Sequence, residues 1–271
     1  MPRSRRLVLG IDAAWTATQP SGVALAEEGD TGWRLVAVES SYARIRERAD
    51  GRGPQSPPRG EAPDVDALLA ACRRLAGREP DLVAVDMPLS HEPIVRRRCS
   101  DLKISSAFGA RKAATHSPST LRPGKLADRL REDFARAGFA LCTSGRLATP
   151  GLMEVYPHAA LLALSGDAVR LTYKATKTMT YWRSVALPER HARLRETWRR
   201  IVAMLDREIE GASALLPSPP QEKRGGDLKA YEDQLDAVVC AYVAMAALEG
   251  RAESFGDDVS AIWVLAAATP P

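Results

Sequence analysis

The chain has 271 residues, and 45% of them are hydrophobic, which is enough for one large core or two modest ones. No apolar stretch is long enough to span a membrane, and the apolar run after the basic start is too short for a signal peptide. The four cysteines are far apart and form no CxxC pair, which argues against a zinc ribbon or a disulfide framework. We therefore expect a cytoplasmic protein with no membrane partner, and its oligomeric state stays open.

The net charge is only +4, but positive charge is concentrated in two segments. Residues 96–131 hold ten Lys and Arg against two Asp, and residues 170–200 hold nine against two Glu. Basic patches attract and hold phosphates, so the two segments favour a polyanionic partner such as nucleic acid. The alternative is that these side chains lie on solvated helix faces.

The first part of the chain predicts an antiparallel meander of three strands, because hydrophobic residues alternate between Gly-containing turns. These strands are residues 6–13, 21–28 and 33–39. A stretch rich in Arg, Gly and Pro at 46–63 predicts a mobile loop. Asp64 can cap a helix that runs to about Arg78, and the apolar run that ends at Asp86 then predicts a buried strand.

Two carboxylates end the apolar runs of the first and fourth predicted strands. Asp12 follows the run 7–11, and Asp86 follows the run 82–85. The helix between the two strands implies a crossover, and hence parallel strands with both aspartates at the same edge of the sheet. Burying a carboxylate is costly unless it is paired or binds a metal, so the two acids indicate a site at that edge.

The remainder of the chain predicts a long insertion followed by further α/β structure. Residues 90–150 are basic and irregular, with a helical piece at 125–138. After the insertion we expect two strands, three helices and one flexible loop. The strands are residues 152–157 and 261–265, the helices are 158–165, 189–210 and 227–250, and the loop is 211–226. We interpret the whole chain, 1–271, as a single domain.

The last predicted helix carries two further acids near its start. Asp233 and Asp236 lie three residues apart, so their carboxylates share one face of the helix. Acids near a helix N-terminus also complement the helix dipole, and this interpretation is strong for Asp233. Asp236 borders twelve apolar positions, so we expect it to face inward.

Six short motifs, in this order along the chain, resemble a known family. They are Gly-Ile-Asp-Ala at 10–13, Val-Asp-Met-Pro-Leu at 85–89, Arg-Cys-Ser-Asp at 98–101, Glu-Val-Tyr-Pro at 154–157, Tyr-Lys at 173–174 and Asp-Gln-Leu-Asp-Ala at 233–237. They resemble the family of domains of unknown function described as predicted nucleases with the ribonuclease H fold, over about residues 6–265. The resemblance implies an α/β domain with a ribonuclease H-like mixed sheet flanked by helices. The basic insertion after the fourth strand departs from that pattern.

The same resemblance implies a nuclease with Mg²⁺ or Mn²⁺ ions held by acids from the first strand, the fourth strand and a late helix. Asp12, Asp86 and Asp236 match those positions, and Asp233 with Asp236 forms a D-x-x-D pair similar to that of Holliday-junction resolvases. We expect all four as metal ligands, and Asp12, Asp86 and Asp236 also as catalytic residues. Glu154 is a further catalytic candidate, from a motif that the minimal ribonuclease H pattern lacks. Its alternative role is that of a structural carboxylate that accepts backbone N–H groups.

The candidates for substrate binding are five basic residues: Arg98, Arg111, Lys112, Lys174 and Arg183. Each can contact a phosphate, and Arg98 and Lys174 belong to the family-like motifs. For Arg98 the alternative is an ion pair with Asp101.

Four ring side chains have weaker functional interpretations. His116 and His158 are candidates for proton transfer, with structural hydrogen bonds as the alternative. Trp15 and Tyr156 are candidates for stacking on bases, with core packing as the alternative.

The leading hypothesis is a Mg²⁺- or Mn²⁺-dependent phosphodiesterase that acts on DNA or RNA. One alternative is an actin-like phosphotransferase, which uses acids on equivalent strands with ATP, but the segment after Asp12 lacks the glycines that such phosphate turns need. Another alternative is a non-catalytic module that binds nucleic acid or another partner through the basic insertion. No P-loop and no G-x-S-x-G motif is present in the sequence.

Overall fold

Mostly buried residues form nine strands in one mixed sheet within residues 5–55 and 57–266, the part of the chain that the computed structural model describes. The strands are β1 (Leu7–Asp12), β2 (Gly22–Glu28), β3 (Trp33–Glu39), β4 (Leu82–Val85), β5 (Ala140–Leu141), β6 (Gly151–Val155), β7 (Ile209–Glu210), β8 (Ala252–Gly256) and β9 (Ala261–Leu265). Their order is β7-β3-β2-β1-β4-β6-β9-β8, and β5 pairs with β6. Residues 1–4, 56 and 267–271 of the predicted domain lie outside the described residues.

The first three strands form the predicted antiparallel meander, and the fourth lies parallel to the first. β2 pairs antiparallel with both β1 and β3. β4 pairs in parallel with β1, and Ile11 lies opposite Val85. The crossover expected from the intervening helix is therefore confirmed. Because both strands run in the same direction, Asp12 and Asp86 lie at the same edge of the sheet.

The second half of the sheet continues in parallel and then closes with an antiparallel pair. β6 lies parallel to β4, and β9 lies parallel to β6. β8 pairs antiparallel with β9 at the edge and was not predicted from the sequence. Its five residues include a Glu and a Gly, and only one of the five residues is buried. Its strand form therefore depends on the pairing with β9.

Helices cover both faces of the sheet. In the described part of the chain they are α1 (Tyr42–Ala49), α2 (Val65–Ala76), α3 (Cys99–Phe108), α4 (Lys125–Arg136), α5 (Pro157–Ser165), α6 (Thr178–Tyr181), α7 (Leu187–Leu205), α8 (Ala212–Leu215) and α9 (Gly225–Leu248). One core contains residues of α5, α7 and α9, and the core on the opposite face contains residues of α1, α2 and α4. The protein is thus a mixed α/β fold, with a curled mixed sheet between helices. No helix among the described residues is long and apolar enough to cross a membrane.

The last helix is the core helix that its sequence predicts. Residues 237–247 of α9 are all buried, and the helix packs across β1, β2 and β4. It begins at Gly225 and not at Asp227, which lies in its first turn. The helical acids therefore lie deeper in the helix than expected.

Two predicted loops contain helical structure. The loop predicted at 46–63 begins inside α1, because Ser41 caps that helix and Ile45 is buried against the sheet. The loop predicted at 211–226 contains α8 and the first two residues of α9. In both cases a few buried residues stabilise a helix within a polar sequence.

The helix predicted at 189–210 ends earlier than expected. α7 stops at Leu205, and Ile209 pairs in β7 with the end of the meander. Ile209 remains fully buried, so its apolar character fits either structure. The insertion 90–150 contains α3, α4 and β5, and α4 matches the helical piece predicted at 125–138.

Candidate functional site

Three carboxylates meet at the edge of the sheet where β1 and β4 end. Asp12 is the last residue of β1, Asp86 follows β4, and Asp236 lies on α9. Each offers one oxygen, and these three oxygens lie within 4.8 Å of one another. Asp236 is fully buried, whereas the other two are partly exposed. The fold thus brings together the three acids that the sequence singles out on separate elements.

Two glycines allow the last helix to approach the strands closely. A Cβ atom on Gly10 would lie 2.0 Å from the carbonyl oxygen of Ala237, and one on Gly22 would lie 2.0 Å from that of Asp233. Gly22 is also the partner of Asp12 across β1 and β2. A side chain at either glycine would push α9 away from the sheet. The glycines therefore set the distance between the strand acid and the helix acids, and the role of Gly22 was not predicted.

Burial and mutual repulsion favour the protonated form of these acids. Burial, followed by the charges of Asp233 and Asp236, raises the pKa of Asp12 well above its usual range. Burial raises the pKa of Asp86 to about 7, although the positive charge of Lys174 opposes it. Burial also raises the pKa of Asp233 and of Asp236 on α9. A cation bound between the carboxylates would relieve this repulsion.

Two ammonium groups neutralise part of the charge. Lys174 Nζ contacts Asp236 and lies 3.4 Å from Glu232. Lys229 Nζ contacts Asp233 and lies 3.3 Å from Glu232. Lys174, predicted to contact phosphates, therefore lies among the acids. Lys229 was not predicted, although its position four residues before Asp233 is a signal for a helical ion pair.

We refer to Asp12, Asp86, Glu232, Asp233 and Asp236 as the acid cluster. Within the described part of the chain, Glu232, Asp233 and Asp236 form ion pairs with lysines, whereas Asp12 and Asp86 form none. Five carboxylates thus face two ammonium groups. Carboxylate oxygens are the ligands that Mg²⁺ and Mn²⁺ prefer, so the donor set fits such a cation.

Glu154 lies on the strand next to β4, where a buried arginine holds it. Both of its oxygens accept hydrogen bonds from Arg98, and one also accepts the N–H of Leu89 at 2.7 Å. The other donors of Arg98 reach Asp101 and the Leu89 carbonyl, so all five of its N–H groups are used. No donor of Arg98 is therefore free for a phosphate in this arrangement, and its role in substrate binding stays a prediction. The geometry also favours the structural interpretation of Glu154.

The other predicted phosphate ligands lie outside the acid cluster. Arg111 donates to the main-chain oxygens of Asp167 and Ala168. Lys112 and Arg183 are exposed. Among the described residues, no contact joins these three cations to the acids, so their role in binding phosphate stays a prediction.

A pocket of about 160 Å³ adjoins the acid cluster, shares Asp86 with it and is also lined by Lys174. Much of its wall is aromatic and was only partly anticipated. The aromatic residues that line it are Trp15, Tyr156, Tyr173 and the two histidines, His116 and His158. The Tyr156 hydroxyl donates to the Ala114 carbonyl at 2.9 Å, and the Tyr173 hydroxyl donates to Asp236 at 2.8 Å. The acids thus lie at one end of a concave site that is large enough for a small ring system.

The sequence matches the family described as "Protein of unknown function (DUF429)" over residues 10–261. No match was found among curated proteins or among solved structures. The matched segment begins just before Asp12 and ends at the start of β9, so it contains the whole acid cluster and all residues that line the pocket except Ile262. The chain therefore belongs to the DUF429 family.

Proposed function

We propose that the protein is a Mg²⁺- or Mn²⁺-dependent hydrolase of nucleic-acid phosphodiesters, built on a ribonuclease H-like fold. The observation that carries this proposal is the approach of three carboxylate oxygens to within 4.8 Å of one another. The three acids come from the first strand, the fourth strand and the last helix. The sheet consists of an antiparallel meander joined to parallel strands. That is the arrangement of acids which the family resemblance leads us to expect.

The acid cluster supports cation binding because its negative charge exceeds its positive charge. Asp12 and Asp86 are the proposed ligands that form no ion pair with any described residue, and Asp236 completes the set. Asp12 also lies close enough to Asp233 for the charge of Asp233 to raise the pKa of Asp12, which suits a carboxylate shared between two cations. Bound divalent cations would stabilise negative charge on the phosphate and make a nearby water a better nucleophile.

The protein's own side chains then position the substrate. In the hydrolysis, a water oxygen forms a new bond to phosphorus, the bond to the leaving sugar oxygen breaks, and a proton from the water ends on that oxygen. Lys174 holds Asp236 in the free protein, and in the complex its ammonium contacts a phosphate oxygen. The partly enclosed pocket keeps bulk water from the reacting phosphate.

A second function, binding without catalysis, is favoured by one specific observation. Lys174 and Lys229 already occupy Asp236 and Asp233, so the helix acids have partners without a metal. On this hypothesis the acid cluster stabilises the fold, and the positive charge of the basic insertion holds nucleic acid. The two functions differ in whether divalent cations bind.

Calorimetry with Mg²⁺ and Mn²⁺, together with a panel of DNA and RNA substrates, tests the proposal. We expect cation binding at millimolar concentration or tighter, and cleavage of at least one single-stranded, duplex, hybrid or branched substrate. Asp227→Asn is the matched control, because Asp227 is an exposed acid on the same helix. It should leave both properties unchanged. Wild-type protein that binds no cation and cleaves no substrate would leave the binding function as the better description.

A further inference from the structure

The pocket beside the acid cluster has the wall of a site for a planar ring. Tyr156 and Tyr173 each meet His158 edge to face, with ring centroids 5.6 and 5.1 Å apart. Trp15 lines the same space and is partly exposed. Aromatic walls of this kind stack on nucleobases with little regard to their identity.

One polar atom in this wall lacks a partner. His158 is only 8% exposed, and its Nδ1 is buried with no hydrogen bond from any described residue. Burial, followed by the charges of Lys174 and Arg170, lowers the pKa of His158 well below its usual value, so the imidazole is neutral. A buried polar atom without a partner is costly, and a ligand that hydrogen-bonds to it removes that cost.

Several cations act on His116 in the wall of the pocket, and we refer to the side of the pocket at His116 as its mouth. His116 lines the pocket, and burial together with the charges of Lys177, Arg170, Lys174 and Arg122 lowers its pKa. Lys177 and Arg122 are exposed, and Arg170 is partly exposed. No ion pair joins these three side chains to an acid within the described part of the chain. An anionic group at this mouth would therefore find several free cations.

We propose that this pocket binds one unpaired nucleobase, hydrogen-bonded to His158, with the attached phosphate at the cationic mouth beside Arg170. This inference rests on the proposed function and narrows it. A base that lies between these rings and bonds to His158 is out of its stack and is not paired within a duplex. The substrate class is therefore single-stranded nucleic acid, or a strand whose target base lies outside the stack.

Equilibrium binding in EDTA tests the inference without metal and without turnover. The probes are AMP and UMP, with ribose 5-phosphate as the probe that lacks a base. We expect at least one nucleotide to bind at least tenfold more tightly than ribose 5-phosphate. His158→Phe should abolish this preference, because it keeps the ring and removes the hydrogen bond. Arg170→Gln should weaken all three probes by a similar factor.

Two matched variants control for unspecific effects. His191 on α7 is also 8% exposed with an unpartnered Nδ1, but it does not line the pocket, so His191→Phe should keep the preference. Arg207 is exposed near β7, across the sheet from the pocket, so Arg207→Gln should keep the affinity. Thermal melting of each variant separates a local effect from unfolding.

Equal affinity of the wild-type protein for nucleotides and ribose 5-phosphate, or no nucleotide binding at millimolar concentration, would overturn the inference even if His158→Phe failed to fold. Failure of the proposed function gives a different result. Nucleotide preference in EDTA without cleavage of any substrate removes the hydrolase and keeps the base pocket. Cleavage without nucleotide preference removes the base pocket alone.

Discussion

Two buried clusters of charge lie on adjacent strands of the sheet and differ in how they are satisfied. On β6, Glu154 shares the guanidinium of Arg98 with Asp101, and all five N–H donors are used. At the end of the adjacent strand, Asp86 belongs to an acid cluster with two ammonium groups for five carboxylates. The planar fork of one arginine matches two carboxylates, whereas an ammonium is a single point of charge.

The difference indicates which cluster serves the fold and which is available for chemistry. In a buried ion pair with all its hydrogen bonds made, no charged group remains free to bind a ligand. Removing one partner leaves a buried charge unpaired. An excess of buried acids is instead held at a cost in stability, and such groups concentrate at functional sites. Variants of the two clusters should therefore have opposite effects on activity and on stability.

The largest expected effect is on turnover, in Asp12→Asn. The neutral amide keeps the shape of the side chain but weakens the binding of any shared cation. The rate of cleavage should therefore fall by about 10²–10³-fold or more. The melting temperature in EDTA should not fall, because one repelling charge is gone. Steady-state cleavage and thermal melting check this, and activity that survives in Asp12→Asn belongs to another site or to a contaminant.

The next effect is on stability, in Glu154→Gln. Loss of this carboxylate leaves Arg98 buried with half of its charge partners, and we expect a loss of about 3 kcal/mol in the free energy of unfolding. Glu196→Gln is the control, because its pair with Arg199 is exposed and should contribute less than about 1 kcal/mol. Denaturant unfolding measures both. A Glu154→Gln protein as stable as the wild type would remove the contrast between the clusters.

A smaller effect is expected in the pH dependence of the metal-free protein. The pKa of Asp86 is about 7 in the folded protein and about 4 in an unfolded chain, so the folded state binds more protons between these values. The stability from this group is full below about pH 4 and is lost as the pH rises through about 7. Melting temperatures in EDTA from pH 4.5 to 7.5 should therefore fall more steeply in wild type than in Asp86→Asn. Parallel curves for the two proteins would contradict the raised pKa.

The smallest effect is expected in Asp233→Asn. Lys229 already holds this carboxylate, and it is not one of the three acids whose oxygens meet. We expect turnover to fall by about tenfold, as is typical when a residue that contacts a metal ligand, but does not bind the metal, is replaced. A loss as large as that of Asp12→Asn, measured in the same cleavage assay, would place Asp233 among the direct ligands.

Much of the fold was predictable because local patterns agree with the tertiary structure. Asp64 caps α2 as its sequence indicates, and the stripe of buried residues in α2 follows the helical period. The strand at 261–265 has the predicted bounds. Predictions failed where burial of single residues decided the structure, as at Ile209, whose apolar side chain is compatible with a helix or a strand.

By itself, the sequence determined which acids are candidates, since Asp12 and Asp86 each end an apolar run and Asp236 directly precedes one. Only the tertiary structure decided which charges remain unsatisfied. Arg98 and Lys174 look alike in the sequence as cations in family-like motifs. Yet all donors of Arg98 are used by Glu154, Asp101 and the Leu89 carbonyl, whereas Lys174 lies among excess acids. The physical reason is that the electrostatic free energy of a buried charge depends on every partner within a few ångströms. Those partners come from elements far apart in the chain.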